Sequence, residues 1–223
     1  MAGSRAQGSL DPHKRAKRCA VCRKGPSVCF CGDVRVLQTR SRLPILQHPT
    51  EIWRPSATAK IVELALAGSR LFVRGDAEDE AELEGLLEEP GSRPYLVFPD
   101  SQAPEPAQMR AAGAWAEGPP PTFLLLDGSW RQARRMRHRR PWLARLPVVA
   151  LRPSEDSVYR IRRQAHSGNL STVEAAALLM SQVEERPERF EHLLELLDLM
   201  VTRILRLRGL DREGQPIRAA GSE

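Results

Sequence analysis

What is missing from this 223-residue sequence narrows its class before anything present in it does. No apolar run approaches the ~20 residues that a membrane-spanning helix needs, so no membrane partner is expected. The stretch from Met1 to Arg18 is polar and basic and has no apolar core, unlike a secretory signal. No segment repeats, which argues against a solenoid or an array. No cysteine occurs outside residues 19–31. Together these absences lead to the expectation of a soluble, cytoplasmic protein.

What is present suits one α/β domain of ordinary size with a short appendage. Hydrophobic residues make up 41% of the chain, enough for one sizeable core. Lys and Arg total 34 against 28 acids, a formal charge of +6. Eight acids are concentrated in residues 76–89, as expected of one solvated helix and its flanks. The remaining surface is therefore more basic than the total suggests, as expected where a polyanion docks.

Cys19, Cys22, Cys29 and Cys31 form a C-x2-C-x6-C-x-C array. In a reducing compartment four thiolates on a short, turn-rich segment suit a tetrahedral Zn2+ that serves folding and RNA docking rather than catalysis. Gly25, Pro26 and Gly32 supply the turns, and Arg18, Arg23 and Lys24 would offset the thiolate charge. The alternative is a set of free or redox-active thiols.

Beyond the cysteines, short apolar runs alternate with helical patterns. Strands are expected at 43–47, 70–74, 95–98, 122–126 and 148–151. Helices are expected at 57–67, 77–87, 130–140, 172–185 and 188–206. This alternation predicts a mostly parallel sheet with helices on both faces. The segment 103–121 reads as an irregular insertion, and the tail beyond Arg208 as disordered.

Ligands of such sheets gather at the carboxyl ends of the strands. There the sequence places His48-Pro49, Pro99-Asp100, Asp127-Gly128 and Arg152-Pro153. Asp127-Gly128-Ser129-Trp130 joins a buried strand to a helix, with Ser129 and Gln132 at capping-box spacing. Asp127 either serves chemistry or shapes the turn. The helix that follows carries six arginines in ten residues, and Arg131, Arg134, Arg135 and His138 share one face, as expected of a phosphate-tracking surface. Ser171-Thr172-Val173-Glu174 is a second capping box, preceded by the turn Ser167-Gly168-Asn169. Tyr159 among Arg160, Arg162 and Arg163 suits RNA stacking or a place in the core. His48, with Glu51 three residues on, is an acid/base candidate or a structural residue.

In this order these motifs resemble the DTW-domain family. The residues that carry the resemblance are the four cysteines, His48-Pro49-x-Glu51, Asp127-Gly128-Ser129-Trp130, Tyr159-x-Ile161-Arg162 and Ser171-Thr172-x-Glu174. Ser129 stands where the family more often has threonine. The resemblance implies a SPOUT-like fold with a C-terminal trefoil knot, behind an N-terminal zinc-binding module. The resemblance covers roughly residues 19–205, and the expected division is 1–35 for the basic arm and zinc module, 36–207 for the catalytic domain and 208–223 for a disordered tail.

It also implies a tRNA-uridine aminocarboxypropyltransferase, which moves the 3-amino-3-carboxypropyl group of S-adenosyl-L-methionine to N3 of uridine and releases 5′-methylthioadenosine. A sulfonium activates three adjacent carbons, so the orientation of the donor decides which one reacts. The uridine imide is a weak nucleophile until deprotonated, so Asp127 is the expected catalytic base, with a hold on the cofactor's ammonium as the alternative. The resemblance carries Ser129, Trp130, Ser171, Thr172 and Glu174 over as cofactor-pocket residues, and His48 and Glu51 as cofactor-pocket or substrate contacts. Arg131, Arg134, Arg135, Tyr159 and Arg162 would hold tRNA. The protein would act as a monomer or homodimer. A SPOUT-type RNA methyltransferase and a non-catalytic zinc-containing RNA-binding protein are the competing readings.

Overall fold

The computed structural model describes residues 17–153, 170–184 and 186–217. Its centre is a five-stranded, wholly parallel sheet built from β1 (Leu43–Gln47), β2 (Ser69–Val73), β3 (Pro94–Val97), β4 (Thr122–Asp127) and β5 (Val148–Val149), in the order β2-β1-β4-β3-β5. β1 is buried along its whole length. A strand covered on both faces reads as a near-continuous apolar run, which is why its limits are sharp in sequence.

Alternate side chains of the strands enter two separate cores. Leu43, Ile45, Phe123 and Leu125 pack beneath α1 (Ala59–Ala65), α6 (Thr172–Val183) and α7 (Glu191–Leu207). Leu46, Phe72, Leu96 and Leu124 pack beneath α2 (Ala77–Glu88), α4 (Trp130–Arg139) and α5 (Pro141–Arg145). The period of two along a strand thus divides one sheet between two layers of helices. In α7 the buried Leu193, Leu196, Leu197, Met200, Val201 and Ile204 recur at helical spacing and form one apolar stripe.

The chain from β1 returns to β2 on one side of the sheet, whereas β4 is followed by β5 on the other. The carboxyl ends of β1 and β4 therefore border the point where the winding reverses, the usual ligand crevice of an open α/β sheet.

The insertion holds more order than its composition suggests. It contains α3 (Pro106–Ala111), opened by a Glu105–Gln108 capping box with proline at the first helical position. Trp115 then turns onto the sheet, edge-on to Tyr95 and Phe123 at 5.8 and 5.5 Å between ring centroids. Past α7, residues 208–217 fold back through a Leu210–Pro216 bridge, and Ile217 N–H donates to the Gly209 carbonyl at 2.8 Å. Among the described residues no helix is long and apolar enough to cross a membrane.

Candidate functional site

Gln47 and Asp127 close β1 and β4 in direct register. Both are buried polar residues at the carboxyl edge of the sheet, Asp127 at 3% exposure. A buried carboxylate needs donors, and it has them. The Gln47 amide Nε2 donates to Asp127 Oδ2 at 2.8 Å, and the Thr172 hydroxyl donates to Oδ1 at 2.5 Å. The acid of the Asp127-Gly128-Ser129-Trp130 segment is thereby tied to a neighbouring strand and to the first turn of α6.

The next residue along β1 looks toward α4. His48 N–H donates to the Asp127 carbonyl at 2.8 Å, which locks the two strand ends together. Its Nδ1 accepts from Thr50 N–H at 3.3 Å and lies 3.2 Å from the Gln132 amide Nε2. With Nδ1 accepting from two N–H groups, the neutral ring carries its proton on Nε2. Burial holds the imidazole below its ordinary pKa, helped by the charges of Arg74 and Arg54 and opposed by Asp127. Gly128 lets these elements close up: a Cβ there would stand 3.2 Å from Gln132 and 3.4 Å from the His48 Cβ.

Ser129 caps α4 and forms a full capping box with Gln132, so one glutamine both starts the helix and positions His48 and Thr50. Trp130 is half-buried and edge-on to Phe98, 6.3 Å away, while the Arg137 guanidinium covers the same Phe98 ring at 4.9 Å. Arg131, Arg134, Arg135 and Arg139 are exposed, and among the described residues none of them forms an ion pair. Arg140 turns away to pair with Glu80.

At α6, Ser171 and Glu174 close on each other. Glu174 Oε2 accepts from the Ser171 amide at 2.7 Å and from its hydroxyl at 2.6 Å. These two residues start the helix, and Thr172 between them faces Asp127. Glu51, fully buried, ends the 3-10 turn after His48 and pairs with Arg54 at 3.0 Å. The Tyr159–Arg163 segment and the Ser167-Gly168-Asn169 turn lie outside the described residues.

The four cysteines form one cluster of free thiols with all sulfurs within 4.8 Å of one another. Cys19 to Cys31 and Cys22 to Cys29 are each 3.7 Å apart. Four sulfurs at ~2.3 Å from a tetrahedral zinc would stand ~3.8 Å from each other, so the residues present could hold such an ion. Arg23 turns the chain between the pairs with φ of 62°. The amides of Cys22 and Val21 bring the Cys19 thiol down to about 6. Burial pushes Cys22 and Cys31 up.

Lys24 does not simply offset thiolate charge. It is buried, and its ammonium donates to the carbonyls of Arg54, Pro55 and Ala57 at 3.1, 2.9 and 2.6 Å. Arg23 lies over the Trp53 ring at 5.8 Å. The cysteine module is thus fastened to the loop that follows His48. Its Cys22, Val28 and Phe30 share the core beneath α7.

The structure therefore gathers Asp127 with Thr172, and His48 with the start of α4, at one sheet edge. The exposed arginines stand on the outer face of α4. Sequence reasoning missed Gln47, Thr50, Gln132 as a site residue, and Arg74. A glutamine ending the buried run Leu43–Gln47 was the one available signal, since a polar group there needs a partner.

A DTW domain matches residues 16–205 of this chain. A tRNA-uridine aminocarboxypropyltransferase 2 of Drosophila melanogaster is 33% identical over 188 residues, covering 81% of this chain and 72% of that protein. The protein of the same name from Mus musculus is 32% identical over 181 residues, covering 77% and 58%. That of Macaca fascicularis is 27% identical over 197 residues, covering 86% and 64%. The chain spans 58 to 72% of the length of these relatives. No solved structure matches it. With the matched region running from the cysteine cluster to the end of α7, this chain belongs to the DTW-domain family.

Proposed function

We propose that this protein is a tRNA-uridine aminocarboxypropyltransferase that uses S-adenosyl-L-methionine. In the reaction the uridine N3 forms a bond to the γ-carbon of the amino-acid arm. The carbon–sulfur bond breaks, its electron pair stays on sulfur, and 5′-methylthioadenosine leaves. The N3 proton passes to a base or to solvent.

One observation carries this reading: the acid of the family motif is buried where the winding of the sheet reverses, fixed by Gln47 and Thr172. Both of its oxygens already accept a hydrogen bond, and an anion held in this way suits a ligand's ammonium group. We assign Asp127 that orienting role ahead of the role of base. Ser129, Trp130, Ser171, Thr172, Glu174, His48 and Glu51 border the donor, several of them by shaping the backbone that faces it.

The exposed face of α4, with Arg131, Arg134 and Arg135, is the tRNA surface in this reading, which also assigns Tyr159 and Arg162, outside the described residues, to tRNA. Exposed arginines with no ion pair among the described residues, on a helix that holds no acid, support it. Zn2+ in the four-cysteine cluster serves the fold and leaves no open position for chemistry. The SPOUT-like knot, the boundaries at 35 and 207 and a cytoplasmic location belong to the same reading, and the parallel sheet with two helical layers supports its α/β class alone.

Purified protein incubated with tRNA and S-adenosyl-L-methionine should add the aminocarboxypropyl mass to a uridine and release methylthioadenosine, both read by mass spectrometry. Release of S-adenosylhomocysteine would report methyl transfer instead. No release of either, with zinc-loaded protein, would leave only a binding role.

A further inference from the structure

Arg74 stands just past β2, where its backbone N–H donates to the Gln47 carbonyl at 2.9 Å. The register that pairs Gln47 with Val73 continues to set His48 beside Arg74. Its Nε is buried and has no hydrogen-bond partner among the described residues. Nor is there an ion pair to Arg74 among the described residues, although acids surround the turn. Asp76 caps α2, Asp79 accepts from Val73 N–H, and Glu80 accepts from Gly75 N–H and pairs with Arg140. Arg54, the other cation acting on His48, is paired with Glu51. A buried guanidinium N–H without an acceptor is costly, so Arg74 is built for a partner that comes from outside the chain.

The partner's chemistry follows from the other side of the same imidazole. His48 feels the positive charge of Arg74 and the negative charge of Asp127. Arg74 just past β2 and Asp127 at the end of β4 stand on either side of β1 at the same carboxyl edge of the sheet, and a cation and an anion so placed match an α-amino-acid zwitterion, with its ammonium toward Asp127 and its carboxylate toward Arg74. We propose that Arg74 binds the carboxylate of the donor's amino-acid arm. Held at both charged ends, that arm is fixed in place, and its fixed end decides which carbon next to sulfur meets the RNA. Arginine suits this task because its planar fork matches a carboxylate. The assignment rests on the aminocarboxypropyl-transfer reading above.

Calorimetric titration of the zinc-loaded protein with three ligands tests it: S-adenosyl-L-methionine, its decarboxylated analogue, and 5′-methylthioadenosine, which lacks the arm. The unaltered protein should bind the first more tightly than the second. Arg74→Met should weaken S-adenosyl-L-methionine ~10- to 100-fold, the scale of a charge-assisted hydrogen bond, and leave the other two unchanged. Unchanged methylthioadenosine binding also shows that the variant is folded. Arg74→Lys should keep part of the preference for the carboxylate. If Arg74→Met keeps the full preference, or loses all three ligands equally while its melting curve is unaltered, the assignment to Arg74 falls and the transferase reading stands. If the unaltered protein binds none of the three, both fall.

Discussion

Gln47 and Asp127 lie opposite each other at the ends of two central parallel strands, joined by a 2.8 Å hydrogen bond between amide and carboxylate. The pair does two jobs at once: it keeps a buried negative charge satisfied, and it fixes the strand ends between which the donor would enter. Asp127→Asn keeps the volume and removes the charge. Modification of tRNA should fall by more than ~100-fold, the scale of a lost preorganised electrostatic contact. The melting temperature should drop only slightly, because hydrogen bonds to Gln47 and Thr172 can be re-made. Mass spectrometry of tRNA and a thermal melt check this. Near-normal turnover would remove Asp127 from the reaction.

Replacing Arg134 and Arg135 together by glutamine should weaken tRNA binding at every sequence tested and reduce the slope of log affinity against log salt by about 2. Both side chains are exposed, so stability should change by less than ~0.5 kcal/mol. Filter binding across a salt series would show it. An unaltered slope would place the RNA on another face.

His48 gives a pH dependence of known sign. Its folded pKa lies below the ordinary value, so the unfolded chain takes up this proton first as pH falls below about 6.5. The stability present above that pH is lost progressively as pH falls through the folded pKa. Urea melts at several pH values should show this loss, and His48→Asn should flatten it. An identical profile in the variant would assign the loss to other groups.

With Zn2+ in the cysteine cluster, as proposed above, its removal should unfold more than that segment. Cys22, Val28 and Phe30 belong to the core beneath α7, so a chelator should lower the melting temperature of the whole protein. Lys24→Met, which leaves three carbonyls without their donor, should cost about 1–3 kcal/mol while zinc stays bound. Metal analysis beside a melting curve separates the two effects.

The insertion can be tested through one ring. Trp115 is only partly buried against Tyr95 and Phe123. Trp115→Ala should therefore cost about 2 kcal/mol, less than the loss of a fully buried aromatic. A change under ~0.5 kcal/mol in denaturant unfolding would mean that the segment contributes nothing to the core.

Local signals were legible in the sequence, and pairings between distant segments were not. β1 falls on the residues expected because a strand buried on both faces has abrupt ends. α4 and α6 begin where their capping boxes say. The helix at Pro141–Arg145 was missed because Pro141 reads as a stop, yet proline also favours the first turn of a new helix. β5 keeps only Val148 and Val149 of the four residues expected, since only those extend the ladder with β3. In the candidate site, Asp127 and Thr172 could be named singly. Their contact, and the part of Gln47 in it, depend on a register set across 45 and 80 residues of chain, which no local pattern encodes. Lys24 shows the same limit: two residues past Cys22 in sequence, it spends its donors on a loop thirty residues away.

That lysine ties two parts of the molecule that share no chemistry. The Lys24 carbonyl accepts from Cys19 N–H at 2.8 Å within the cysteine turn, and its ammonium clasps the stretch from Arg54 to Ala57 that follows His48. With Zn2+ in the cluster and the transferase activity proposed above, loss of the ion would slacken this distant clasp and lower turnover without touching the reacting groups.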